Sequence, residues 1–395
     1  MAKMSGQRWA SICLAVLLLG YATVAAINGL GRWISDEGDP HAPPVFPYDT
    51  MAARALATRS LVNNAPAQAL PFARMALLGD PVDAQVVGLI GRSEILLGHG
   101  DKADAAFRVS AGLGWRDTAT QLYWYSRAFD LGDADMAAQR LDAVLRQDPD
   151  FLARDSSFAD LTASPEGRAA LAARLAEHPA WAVKFYAPRD ALTPELLTDR
   201  AEVVRRMPKA ALQCADVAPL VNRMLQANLL DEGQDLWSRA CDPEPGLVHD
   251  GHFRGLDLDG KGNVTFFNWQ LPASGTVELL FDEAGNGSRT LDMRVNGGIS
   301  RSVLRQLTIL SPGRYKLSWA MPEQGPAALA ALRVGIGCTA DRGEAVAAQA
   351  DPAAPGRAMI ETAIDDTCRA RLISFWLAPG TRVHISDVRL ERVGA

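Results

Sequence analysis

Lysine, histidine and cysteine are scarce in this chain, and each scarcity narrows what it can do. Only six of its 40 basic residues are lysine, and the formal charge is −6, so no basic face is available for phosphate backbones. Nucleic acid is therefore not an expected partner. The abundant alanine beside so little lysine is the composition of a GC-rich genome and carries no function. Six histidines and five cysteines include no CxxC, which speaks against zinc ribbons and thioredoxin-like chemistry. No GxSxG elbow and no GxGxxG after a strand are present, so neither a hydrolase nucleophile nor a dinucleotide fingerprint is on the chain. The expectation is no catalytic residue, no metal and no cofactor.

Charge is also missing locally. No charged residue occurs from Trp9 through Gly31, and the centre reads Ile12-Cys13-Leu14-Ala15-Val16-Leu17-Leu18-Leu19. A helix needs about 20 apolar residues to span a bilayer, so the segment is expected to be a retained anchor. Lys3 and Arg8 before it place the N-terminus in the cytoplasm and the bulk outside, as a single-pass bacterial inner-membrane protein. A signal peptide cleaved near Val24-Ala25-Ala26 is the competing expectation. Outside the segment lie Cys214, Cys241, Cys338 and Cys368, an even number suited to an oxidising compartment. The first two fall in helical sequence and the last two in strand sequence, which favours the pairs Cys214–Cys241 and Cys338–Cys368.

Four regions are expected: a membrane anchor over 1–31, a Pro-rich linker over 32–47, helices over 48–242 and a β-sandwich over 243–395. The helical region repeats. Asn64 with Ala69, Ala73, Ala76 and Pro81 forms one copy, Gly100 with Ala105, Val109, Gly112 and Asp117 the next, and Gly132 with Ala137, Leu141, Val144 and Pro149 a third. Their offsets of 36 and 32 residues bracket the period of tetratricopeptide repeats, which this region resembles. The resemblance implies stacked helix pairs with a concave groove for a protein partner. Trp115, Tyr123, Trp124 and Tyr125 are the candidate groove residues. Val217 to Ala240 reads as one more helix pair, turning at Asp231-Glu232-Gly233.

Beyond Pro243 the pattern changes to short strands between turns. Among them are 263–269, 277–281, 289–295, 306–310, 314–319 and 383–390, the spacing of an antiparallel sandwich or jelly roll. Ser311-Pro312-Gly313-Arg314-Tyr315, Leu377-Ala378-Pro379-Gly380 and Ile385-Ser386-Asp387-Val388 resemble jelly-roll modules of carbohydrate-binding proteins. The whole arrangement is similar to bacterial proteins associated with exopolysaccharide or other envelope-polysaccharide production. That resemblance implies a scaffold for proteins of polysaccharide assembly or export. The alternatives are a self-standing carbohydrate-binding protein and a glycan-modifying enzyme. Trp269, Trp319 and Trp376 are the candidate glycan-stacking residues, although core packing is the ordinary fate of such tryptophans.

Two stretches imitate other sites. Gly255 to Lys261 looks like the start of a P-loop or a calcium loop, yet Gly262 stands where Ser or Thr would bind magnesium, and Lys261 and Asn268 stand where an EF-hand needs carboxylates. His249 and His252 flank Asp250 without a third ligand nearby and read as linker.

Overall fold

The computed structural model describes residues 6–36, 50–154, 156–188, 192–258, 265–271, 275–283, 289–322, 325–338 and 345–394. Residues 32–36 of the expected Pro-rich linker close the first helix, and the rest of that linker and residues 259–261 of the P-loop-like stretch lie outside the described residues. Helices come first and antiparallel sheets follow. By packing the chain divides into two compact units, Met1–Arg174 and Leu175–Ala395.

The first unit opens with α1 (Gly6–Asp36). The expectation of a membrane-spanning anchor is overturned: among the described residues no helix is long and apolar enough to cross a membrane. The aliphatic centre from Ile12 to Leu19 covers only about two turns. Beyond it Gly20 and Thr23 interrupt the aliphatic run, and Thr23 turns its hydroxyl back to the Leu19 carbonyl at 2.8 Å.

Three helix pairs follow: α2 (Thr50–Val62) with α3 (Pro66–Gly79), α4 (Ala84–Leu96) with α5 (Gly100–Leu113), and α6 (Thr118–Asp130) with α7 (Ala134–Gln147). The starts Thr50, Ala84 and Thr118 are 34 residues apart, and so are Pro66, Gly100 and Ala134. The turn within each pair carries a residue at positive φ, Asn64 (58°), Gly98 (79°) and Gly132 (73°), where glycine or asparagine costs least. Five residues on, Ala69, Ala103 and Ala137 are fully buried where the helices touch. The register of the second copy is thus corrected by two residues, from Gly100 and Ala105 to Gly98 and Ala103. Asp83 and Asp117 cap α4 and α6 by accepting backbone N–H groups. Three short helices, α8 (Phe151–Arg154), α9 (Ser157–Thr162) and α10 (Pro165–Leu175), complete the helical run.

The second unit begins with α11 (Ala182–Tyr186), α12 (Pro194–Arg206) and the hairpin of α13 (Cys214–Gln226) and α14 (Leu230–Cys241). Its turn is at Asn228, with φ 61°, and Gly233 lies inside α14. A Cβ there would meet the Leu225 side chain at 3.3 Å, so glycine serves close helix approach in place of the expected turn. Among the described residues ten strands then form two sheets: β1 (Val277–Glu283), β2 (Arg289–Val295), β10 (Arg382–Val393), β4 (Gly313–Ala320), β8 (Arg357–Ile364) and β7 (Gln349–Ala350) in that spatial order, and β3 (Arg301–Ile309), β9 (Ala370–Leu377), β5 (Leu332–Cys338) and β6 (Val346–Ala347) in the other. Every pairing is antiparallel. Alternate residues from both sheets, such as Leu291, Met293, Leu317, Trp319, Ile373 and Phe375, build one shared core. A short helix, α15 (Pro326–Ala331), precedes β5.

The strand expected over 263–269 is not formed by its described residues. Thr265 to Asn268 make a turn in which the Asn268 side chain accepts from the Thr265 N–H at 3.0 Å. Gln270 makes a single antiparallel bridge to β3, at Arg305, and the Phe266 carbonyl accepts from the Leu307 N–H of the same strand.

Helices α13 and α14 pack on the sheets. Trp237 of α14 is buried against His249 and Phe267, with ring centroids 4.5 and 4.7 Å away. His249 is held through its backbone: its N–H donates to Gln306 Oε1 at 3.0 Å, and Gln306 Nε2 donates to its carbonyl at 2.6 Å. The supposed linker around His249 is therefore an interior wall of this unit, and burial pushes the imidazole down to about 4.

Candidate functional site

The first unit holds a cleft of about 930 Å³ between α5 and α6. Its geometry starts at the connection between these helices. Asp117 accepts the Thr120 N–H at 2.8 Å, the Thr120 hydroxyl donates to Ser110 Oγ at 2.7 Å, and Ser110 donates to the Ala84 carbonyl at 2.7 Å. A Cβ on Gly88 would come within 2.0 Å of the Asp117 carboxylate, so α4 and the cap of α6 approach only because that residue is glycine. Burial raises the Asp117 pKa above the usual aspartate range.

The cleft floor is aromatic. Phe107 and Tyr123 stack with centroids 4.3 Å apart, and Trp124 meets Tyr123 edge-on at 5.3 Å. Asp101, Asp104 and Arg108 come from one face of α5, while Leu122, Ser126 and Arg127 come from α6. The Tyr123 hydroxyl donates to Asp104 Oδ1 at 3.0 Å, and Asp104 also pairs with Arg108. Burial first, and then this carboxylate, push the Tyr123 phenol up, so it stays a donor. Apolar rings between opposite charges are suited to an extended or helical peptide with an apolar side chain between polar ones.

Of the four aromatics picked out by sequence, only Tyr123 lines this cleft. Trp124 braces the floor, its indole donating to the Phe107 carbonyl at 3.3 Å. Trp115 is capped by the Arg140 guanidinium, 4.0 Å from the ring centroid. Tyr125 is buried and donates to the Ser157 carbonyl at 2.6 Å. Phe107, Asp104 and Arg108 had not been singled out; their spacing of three and four along α5 is the available signal.

In the second unit, Trp269 and Trp319 are both in the sandwich core. Trp269 donates its indole N–H to the Asp250 carbonyl at 2.9 Å, and Trp319 packs edge-on to Phe375 at 5.3 Å. Neither presents a face to solvent. Trp376 is half-buried and points away from the core, level with Arg333 on β5. Cys214–Cys241 and Cys338–Cys368 are disulfides, spanning 27 and 30 residues, and Cys13 is free. Among the described residues, no group of three or more His, Cys, Asp or Glu is placed to hold a metal ion.

No family model matches the chain, and no curated protein matches it. Among solved structures it is similar to a family GH115 4-O-methyl-α-glucuronidase with specificity for decorated arabinogalactans, at 12% identity and a TM-score of 0.19. The match covers 78% of this chain and 48% of that one, so the chain spans about half the length of that enzyme. A likeness that weak carries no argument about fold or activity.

Proposed function

We propose that this protein is a non-enzymatic adaptor whose helix pairs hold a segment of a partner protein in the cleft between α5 and α6. The observation that carries the reading is the Phe107–Tyr123 floor set between Asp101, Asp104, Arg108 and Arg127. The 34-residue spacing of the helix starts supports a tetratricopeptide-like array, a scaffold whose usual work is protein recognition. Both disulfides support folding in an oxidising compartment outside the cytosol. The sequence resemblance assigns the partner to the machinery that assembles or exports an envelope polysaccharide. A direct glycan-binding role is left with Trp376 alone. Asp101 and Asp104 share one wall of the cleft, and Asp104 is occupied by Tyr123 and Arg108. A glycosidase needs carboxylates on both sides of the scissile bond.

The test is capture from envelope extracts with the full chain and its Tyr123→Ala/Arg127→Glu variant as baits. Envelope proteins of polysaccharide assembly should be retained by the first and lost by the second. Equal retention by both baits, with the variant folded by circular dichroism, would place the binding surface elsewhere and refute the reading.

A further inference from the structure

The second unit contains a separate cleft of about 310 Å³ between the α13–α14 hairpin and the outer face of β3 and β9. The hairpin's anchors hold it open. Arg369 makes a two-pronged ion pair with Asp231 at the start of α14, at 2.7 and 2.8 Å. Asn222 Oδ1 on α13 accepts the Phe266 N–H at 2.9 Å. Trp237 packs on Phe267 further along α14. Between these fixed points Leu225 and Leu230 cannot drop onto the sheet, so they face Phe266, Leu307 and Leu372 across a gap.

Among the described residues the rim is polar and its one charge is positive: Gln226, Gln270 and Arg305 border the cleft, and no carboxylate lines it. These three side chains have no hydrogen bond or ion pair with a described residue. Arg305 is exposed, and its backbone is fixed by the bridge to Gln270, so the guanidinium sits at the mouth on a rigid strand. It also borders a smaller cleft with Asp250 and Asp257. Asp250 is committed to the N–H groups of Arg254 and Gly255, at 2.6 and 2.9 Å, and Asp257 has an interaction of its own elsewhere. Among the described residues neither is in an ion pair with Arg305.

We propose that this cleft binds a medium-chain alkyl carboxylate, with the chain between Leu225, Leu230, Phe266, Leu307 and Leu372 and the carboxylate on Arg305. Arginine matches a carboxylate with two parallel hydrogen bonds, and the two glutamine amides supply further donors. Ligand sites begin at about 300 Å³, so this cleft suits a chain of about ten carbons and not a sugar chain or a folded domain. The site is independent of the partner cleft in the first unit, so the two readings can fail separately.

The probe is decanoate, titrated below its aggregation limit into the full-length protein by calorimetry, with decylamine as the same tail bearing the opposite charge. One saturable decanoate site is expected, with decylamine at least about ten-fold weaker. Arg305→Gln should weaken decanoate by about ten-fold or more without changing thermal stability, because that side chain supports nothing else. Leu372→Trp, which fills the floor, should abolish binding. Should that variant misfold, Arg305→Gln alone decides the matter. Equal affinity for decanoate and decylamine, or unchanged binding by Arg305→Gln, would overturn the proposal. Displacement of decanoate by a leucine-terminated tripeptide at lower concentration would overturn the acyl occupant in favour of a peptide terminus.

Discussion

Replacing Trp237 with alanine tests whether the α13–α14 hairpin and the sandwich fold as one body. The indole is fully buried, and its neighbours are His249 and Phe267. A tryptophan removes about 150–250 Å² from water, worth about 4–6 kcal/mol at about 25 cal/mol per Å². Measured truncations of large buried rings cost about 3–5 kcal/mol because surroundings relax in part. A domain holds only about 5–15 kcal/mol in total, so this loss takes about a fifth of it or more. The damage should not stay in the helix. Phe267 lies in the turn whose Phe266 carbonyl accepts from the Leu307 N–H at 2.9 Å, and His249 is gripped by Gln306. Hydrogen exchange followed by mass spectrometry on the full chain would read residues 244–271 and 301–309. Exchange in both peptides should accelerate together by about a hundred-fold, the factor corresponding to about 3 kcal/mol. Faster exchange confined to α14, with both peptides unchanged, would refute a common fold for the hairpin and the sheet.

Three further outcomes follow from the same structure. His249 is neutral when buried, and its folded value near 4 lies below its unfolded value of 6.5. The unfolded chain therefore binds more protons in that window, and the second unit should lose about 3 kcal/mol as pH falls from about 6.5 to 4. His249→Phe should flatten that part of a urea-midpoint profile; an unchanged profile would show that His249 is not the group responsible. Arg382 holds Asp292 below the usual aspartate range, with smaller help from His384 and Arg294. Its contribution is present at neutral pH and disappears as pH falls through the aspartate range, so Asp292→Asn should cost about 1–2 kcal/mol at pH 7 and nearly nothing in strong acid. Replacing Cys338 and Cys368 with serine opens a loop of 30 residues and should lower stability by about 3 kcal/mol in chemical denaturation. A double variant as stable as the parent would mean that the bridge does not constrain the unfolded chain.

Helix pairs were legible because their signals are local. A residue that tolerates positive φ, followed five positions later by a small residue, marks each turn and contact, as alanine does in the three pairs and Gly233 does after Asn228. The slip of two residues in the second copy came from taking Gly100 for the turn residue; only the backbone at Gly98 has the left-handed conformation. The apolar stretch at the N-terminus was read from its length and its lack of charge, and no helix among the described residues is long and apolar enough to cross a membrane.

Side-chain destinations were less legible. Trp269, Trp319 and Trp376 all sit among apolar neighbours in sequence, yet two are in the core and one is turned away from it. Strand alternation states which residues share a face but not which face is covered. The same holds for His249, which looks like linker in sequence because its cage comes from Trp237, Phe267 and Gln306, up to 57 residues away.

By itself, then, the sequence determined the order of helices before strands and most of their positions, since periodicity, capping and turn chemistry act over a few residues. Tertiary structure alone decided where the chain divides. The composition changes near Pro243, but α11 to α14 belong with the sandwich because Trp237, Asp231 and Asn222 meet their partners there. It also decided which aromatic faces a cleft and which cation stands free at a rim. Those outcomes depend on contacts between residues far apart in sequence, where burial and pairing are settled only once the chain has closed.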